Sequence, residues 1–235
     1  MEHADPSPHQ LDTLRLYGAL VELREDWGGG LALCCGAGCA SSGIPAAVSI
    51  AGGATLAIDA DATAVKTAMR AGELDFVVNT LDEALRALKN EIRQHRPLSV
   101  GLIADVDATL HEMAERGVLP ELLLIGSGQS AGAILGNQSI QALQEAGMIV
   151  KRAAPEAAVP LSLTSSGAGY AETYVAAATA AGLRALDDRI QAILPLDDSI
   201  RRRWLKRAST YLRDACTGGR WIWLSEKESR ALSHS

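Results

Sequence analysis

The chain has 235 residues, of which 48% are hydrophobic and 4% aromatic, and its formal net charge is −6. This length allows one large or two small domains with a sizeable core, and the acidic balance argues against nucleic acid as a partner. No apolar stretch is long enough to span a membrane, and the polar first ten residues have no signal-peptide core, so we expect a cytoplasmic protein that does not engage a membrane.

Residues 1–10 are predicted to form a flexible tail, followed by a domain over residues 11–152 in which helices and strands alternate. Apolar residues recur at helical spacing from Leu11 to Glu25, and a short apolar run, Leu31 to Cys35, predicts the first strand. Later strands are predicted over 54–59, 75–78, 98–104, 122–125 and 148–150, and helices over 43–53, 60–70, 81–94, 107–116 and 139–146. This alternation predicts an α/β fold, a Rossmann-like parallel sheet with helices on both faces.

The C-terminal part of the chain has a different character. Residues 153–166, rich in Pro, Ala and Ser, are predicted to be a linker, and residues 167–235 a helical C-terminal segment that packs on the sheet. Its helices are predicted over 171–181, 185–194 and 199–216, and a short strand over 220–224. That strand has no obvious local partner, so we expect it to join the main sheet or a partner chain.

One basic cluster stands out, beginning with Arg201-Arg202-Arg203 and continuing to Arg207. The pattern predicts a solvated helix face near acidic residues, because charge runs on helices usually face water. A phosphate or nucleic-acid patch is the alternative.

The first strand runs into a turn of small residues that reads G-A-G-C-A-S-S-G. Gly36 and Gly38 supply the G-x-G of a dinucleotide-binding βαβ unit, and Ser41 stands where the third glycine is expected. Such a turn lets a pyrophosphate approach backbone N–H groups at the start of a helix. Asp59, at the end of the second strand, has the spacing of an acid that holds a ribose hydroxyl. A tight strand-to-helix turn without a ligand is the alternative.

Three residues follow predicted strands directly, namely Asp59, Asp105 and Gly126. Because the carboxyl ends of parallel strands meet at one edge of a sheet, we expect these residues to line the same crevice. Gly126 also opens a second small-residue loop, G-S-G-Q-S-A-G. Ligands of open α/β folds bind at this edge, so the sequence predicts the binding site there.

The four cysteines, Cys34, Cys35, Cys39 and Cys216, do not have the spacing of a zinc site, and no metal is predicted. We expect buried thiols in a reducing compartment. Cys39 lies at a predicted helix N-terminus, where the pKa of a thiol is lowered. A nucleophilic role for Cys39 is therefore an alternative.

Several of these motifs resemble the NAD-binding domain of the urocanase (urocanate hydratase) family. The stretch G-A-G-C-A-S-S-G-I-P, Gly36 to Pro45, aligns without a gap with the family's G-L-G-G-M-G-G-A-Q-P, and L-A-I-D, ending at Asp59, with its L-N-I-E strand. The segment L-H-E-M-A-E-R-G-V-L-P, Leu110 to Pro120, resembles the family's E-L-x-x-R-G-V-x-P, and R-P-L-S-V-G-L its preceding strand. The tail motifs D-D-S-I-R-R-R-W-L and R-W-I-W-L resemble segments that follow the family's NAD domain.

The resemblance implies a urocanase-like Rossmann-fold protein that binds NAD or another nucleotide, and a homodimer is expected. The residues that it assigns to the cofactor are Gly36, Gly38, Ser41, Ser42, Asp59, Asp105 and Gly126.

The catalytic motifs of the family are not preserved. Its D-Q-T-S-A-H-D corresponds to Ile125 to Ala131 here, where both acids and the His are absent, and its C-R-G segment has no counterpart. Its G-N pair is Ala104-Asp105 in this chain, which brings a negative charge towards an anionic cofactor. The resemblance therefore implies a protein without urocanate hydratase chemistry. The alternatives are a non-catalytic structural or regulatory protein with a protein partner, and an active hydratase that uses NAD.

Overall fold

The computed structural model describes residues 6–125, 131–152, 159–160, 163, 169–177 and 179–233. The elements in chain order are α1 (Pro8–Leu23), β1 (Leu31–Cys35), α2 (Ile44–Ala51), β2 (Ala54–Asp59), α3 (Ala62–Ala71), β3 (Phe76–Val78), α4 (Leu81–Arg93), β4 (Leu98–Ile103), α5 (Val106–Glu115), β5 (Leu122–Ile125), α6 (Ala131–Leu135), α7 (Gln138–Glu145), β6 (Ile149–Arg152), β7 (Tyr170–Ala176), α8 (Ala180–Ile193), α9 (Ser199–Tyr211), β8 (Gly219–Ser225) and α10 (Glu226–Ser233). Two 3₁₀ turns span Cys39–Ser41 and Arg213–Cys216.

Strands β1 to β6 form a parallel sheet in the order β3-β4-β2-β1-β5-β6. The chain leaves β1 towards β2 on one side and returns to β5 on the other side. The carboxyl ends of β1 and β5 therefore flank the switch point, where open α/β sheets bind ligands. The predicted α/β, Rossmann-like fold is confirmed.

The strands are apolar throughout because helices cover both faces of the sheet. Within β1, Leu31, Leu33 and Cys35 point towards the face that α4, α5 and α7 cover. Ala32 and Cys34 belong to the opposite face, where α1, α2, α3 and the C-terminal elements pack. The period-2 alternation of the strand thus divides the core into two layers.

Helix α2 is buried along its whole length, between the sheet and helices α1 and α9. The backbone carbonyls at its C-terminal end accept hydrogen bonds from two arginines of α9. Arg207 donates to Ser49 and Ile50 at 3.4 and 3.2 Å, and Arg203 donates to Ala51 at 3.3 Å. Cations at a helix C-terminus complement its dipole, so α9 holds this end of α2 in place.

The basic cluster is therefore not a solvated helix face, and that prediction is wrong. Arg201 is completely buried and pairs with Asp198 and Glu228, while its guanidinium lies 4.8 Å from the ring of Tyr170. Asp198 also accepts a hydrogen bond from the Arg201 backbone N–H and caps α9. The sequence pattern cannot show this, because Glu228 reaches Arg201 from another element, α10.

The C-terminal segment contains a two-stranded antiparallel ribbon, β7 with β8, which corrects two predictions. Residues 170–176 are a strand rather than the start of a helix, and the strand over 220–224 pairs with them rather than with the main sheet. Thr, Tyr and Val in β7 favour extended backbone, whereas the alanines after it favour helix. Arg15 of α1 forms an ion pair with Glu172 at 2.8 Å and ties the ribbon to the helical layer.

The N-terminal helix begins before the predicted end of the tail. Ser7 caps α1, and its hydroxyl accepts a hydrogen bond from the Gln10 N–H. Most of the predicted linker, 153–166, lies outside the described residues. Among the helices that the structure describes, none has the length and hydropathy needed to cross a membrane.

Candidate functional site

The turn between β1 and α2 is built on three glycines with positive φ. Gly36, Gly38 and Gly43 have φ values of 92°, 78° and 77°, a region that side chains with a Cβ rarely occupy. The 3₁₀ turn Cys39–Ser41 lies between them, and α2 begins at Ile44, one residue after the predicted start of this helix. The outer side of the turn is open, because a Cβ built on Gly38 would meet nothing within 4 Å.

Asp59 lies at the end of β2, against this turn. Its Oδ2 accepts a hydrogen bond from the Gly38 N–H at 2.9 Å, and its Oδ1 accepts one from the Asp61 N–H at 2.9 Å. The residue is only 3% exposed. Each carboxylate oxygen has a second lone pair, so hydroxyl groups of a ligand could still bind it if they reached it. Asp59, the residue predicted to bind a ribose hydroxyl, therefore also holds the glycine turn through the Gly38 N–H.

The two serines of the turn have different surroundings. Ser41 is exposed, and its hydroxyl donates to the Gly38 carbonyl at 3.4 Å. Ser42 is half-buried; its hydroxyl donates to the Cys39 carbonyl at 2.6 Å and accepts from the Ile44 N–H at 3.3 Å. Ser42 is thus used within the turn, whereas Ser41 faces the open side.

Glu73 is a feature of this site that the sequence did not reveal. It lies between α3 and β3, is 6% exposed, and its Oε2 accepts a hydrogen bond from the Gly43 N–H at 3.1 Å. His9 of α1 approaches the other carboxylate oxygen, with Nε2 3.5 Å from Oε1. Burial raises the pKa of Glu73, while His9 and the Gly43 N–H oppose that shift. An acid therefore stands at the N-terminus of α2.

Asp105 caps helix α5, and its Oδ1 accepts a hydrogen bond from the Ala108 N–H at 2.8 Å. It borders a cleft of about 310 Å³ at the carboxyl ends of β3 and β4, together with Thr80, Asp82 and Glu112. Strand β2 separates β4 from β1, so Asp105 is not next to the glycine turn. The structure therefore brings Gly36, Gly38, Ser41, Ser42 and Asp59 together and places Asp105 at a neighbouring cleft, while Gly126 lies outside the described residues.

The cysteines near the turn are buried thiols. Cys39 is 0% exposed, and its Sγ donates to the Ile58 carbonyl at 3.4 Å. Contact with the Cys39 thiol and burial raise the pKa of Cys34, and burial raises the pKa of Cys35 to about 12. Because Cys39 is inaccessible in this structure, its geometry does not support the alternative of a reactive nucleophile.

Residues 14–131 match the model of the urocanase Rossmann-like domain, which is half of the chain. The chain belongs to the urocanase family. The match runs from α1 to the start of α6 and so contains the glycine turn, Asp59 and Glu73. The ribbon β7–β8 and helices α8 to α10 lie beyond it.

The solved structures that are similar to this chain include a universal stress protein in complex with cAMP. It is 9% identical to this chain, with a TM-score of 0.24, and the similarity covers 53% of this chain and 98% of the other. At this level the similarity adds nothing to the family assignment.

Proposed function

We propose that this member of the urocanase family binds a nucleotide, NAD or a related compound, at the carboxyl edge of its sheet and does not hydrate urocanate. The observation that supports the proposal is the open outer face of Gly38 next to Asp59. A ligand lying on this face would meet the exposed Ala37 and Ser41 and the backbone of the turn. Asp105 would line the neighbouring part of this edge, and the assignment of Gly126 stays a prediction from the sequence.

The absence of the family's catalytic residues supports the proposal that the chain does not hydrate urocanate. The acids and the His of the D-Q-T-S-A-H-D motif have no counterparts between Ile125 and Ala131. Without these groups, the chain has no assigned acid or base for the addition of water. Incubation with urocanate should leave its ultraviolet absorbance unchanged, and a loss of that absorbance would instead show an active hydratase.

Nucleotide binding is tested by calorimetric titration with NAD⁺ and with adenosine, using two matched glycine variants. Asn tolerates positive φ, so Gly38→Asn should preserve the turn while its side chain fills the open face. Gly117→Asn is the control, because Gly117 also has positive φ and no neighbour within 4 Å of an added Cβ, but it follows α5 at the opposite edge of the sheet.

We expect the parent protein and Gly117→Asn to bind alike and Gly38→Asn to bind at least about tenfold more weakly, which corresponds to 1.4 kcal/mol. Absence of heat at millimolar ligand would contradict nucleotide binding. Equal affinities in the two variants would place the ligand elsewhere.

A second candidate is a non-catalytic structural or regulatory protein. The observation in its favour is that carboxylates of the chain itself already hold the N–H groups of Gly38 and Gly43. A turn that is satisfied in this way needs no ligand to be stable. We infer a homodimer or a complex with another protein for this role, in the cytoplasm, where the four unpaired cysteines would stay reduced. A monomer in sedimentation experiments, with no co-purifying protein, would count against it.

A further inference from the structure

Glu73 is held firmly at the start of α2. Its backbone N–H donates to the Ala68 carbonyl at 3.0 Å, and its own carbonyl accepts from the Ser99 hydroxyl at 3.1 Å. These two bonds fix the backbone between α3 and β3, so the side chain reaches Gly43 from an anchored position. The contact between Glu73 and Gly43 joins residues that are 30 positions apart in the sequence.

The N-terminus of α2 has few donors left for an external anion. The Gly43 N–H is bound by Glu73, the Ile44 N–H by the Ser42 hydroxyl, and Pro45 has no N–H. In a dinucleotide-binding unit, these positions are where a helix offers its N–H groups and the positive end of its dipole to a phosphate. Here a carboxylate of the chain supplies that negative charge.

A phosphate at the same point would have to displace Glu73 or lie beside it. Two anions in such close contact repel each other, and the repulsion is stronger where the surroundings are partly buried. The side chain of His9 also lies against Glu73, with Nε2 3.5 Å from Oε1. The first turn of α2 thus has the same arrangement as Gly38: the N–H of Gly43 is bound by Glu73, and the N–H of Gly38 is bound by Asp59.

We propose that Glu73 acts as a built-in substitute for a ligand phosphate and makes this site select nucleosides over dinucleotides whose pyrophosphate would lie on the N-terminus of α2. This inference rests on the proposed nucleotide site and narrows its ligand class. The base and ribose of such a ligand lie over the open face of Gly38. Any phosphate it carries points to solvent, away from Gly43.

The experiment compares the full chain with Glu73→Gln, Glu73→Ala and Glu121→Gln. Glu73→Gln removes the charge and keeps the volume, whereas Glu73→Ala also frees the Gly43 N–H. Glu121→Gln makes the same change in net charge at the opposite edge of the sheet, where Glu121 pairs with Arg24. Thermal unfolding establishes that each variant is folded. The calorimetric probes are adenosine, NAD⁺ and inorganic pyrophosphate.

We expect Glu73→Ala to gain at least about tenfold in affinity for NAD⁺ and pyrophosphate, Glu73→Gln to gain less, and Glu121→Gln to match the parent protein. The affinity for adenosine should be the same in all four proteins. If a folded Glu73→Ala variant gains no affinity for NAD⁺ or pyrophosphate, the role of Glu73 is refuted, whether or not adenosine binds. If Glu73→Ala gains affinity but adenosine binds none of the proteins, the nucleoside site fails while Glu73 remains the occupant of the phosphate position.

Discussion

Asp59 gives the most direct test of how the glycine turn is held. In the variant Asp59→Asn, an NH₂ group, which donates hydrogen bonds and cannot accept them, replaces one carboxylate oxygen. One of the two backbone N–H groups, of Gly38 or of Asp61, then faces another donor. Losing a hydrogen bond to a charged group costs about 1.5–3 kcal/mol, and a buried unpaired N–H adds about 1–3 kcal/mol. Since the other bond survives in weaker form, we expect a loss of about 3 kcal/mol in the free energy of unfolding.

Asp105→Asn is the matched control for this measurement. Asp105 also follows a strand at the carboxyl edge, but it accepts from a single N–H of a helix N-terminus, and Asn caps a helix as well as Asp does. Its loss should stay below about 1 kcal/mol. For a domain of this size, the loss of about 3 kcal/mol expected for Asp59→Asn corresponds to a fall in Tm of about 9 °C. Urea unfolding measures the free energy of unfolding, and thermal scans measure Tm. Equal losses in Asp59→Asn and Asp105→Asn, or a loss under about 1 kcal/mol for Asp59→Asn, would refute this account of the turn.

Two further predictions concern the C-terminal part of the chain. Arg201→Met leaves Asp198 and Glu228 without their cation in a buried site, so we expect the free energy of unfolding in urea to fall by about 3–5 kcal/mol. The control, Arg230→Met, breaks the exposed pair with Glu226 and should cost under about 1 kcal/mol. Similar losses in the two variants would contradict the argument from burial. Burial raises the pKa of Cys216 from 9.0 to about 11. The folded state therefore favours the protonated thiol. The stability that this preference contributes is complete below pH 9 and is lost as the pH rises towards 11, because the unfolded chain releases the proton first. The free energy of unfolding should fall between these values by up to about 3 kcal/mol more in the parent protein than in Cys216→Ser, and identical pH profiles would show that this thiol does not contribute.

The layout of the sheet could be predicted because its signals are local. Short apolar strands, Gly at helix ends and Asp or Thr at helix starts depend on neighbours within a few residues, and in the structure Thr80, Asp105 and Asp198 cap α4, α5 and α9. The same holds for the G-x-G turn. Strand β7 was mispredicted as helix because its pairing with β8 spans more than forty residues of sequence.

The sequence by itself determined the parallel α/β sheet, the glycine turn after β1 and the urocanase family, since each is written in short stretches of neighbouring residues. The tertiary structure decided what stands at that turn. Glu73 and Asp59 reach the backbone N–H groups of Gly43 and Gly38 from other elements, and hydrogen bonds depend on positions in space rather than in sequence. Packing of α2 beneath α1 and α9 fixes those positions. The glycine motif therefore predicts the shape of an anion site, and only the fold shows that acids of the chain itself already bind its N–H groups.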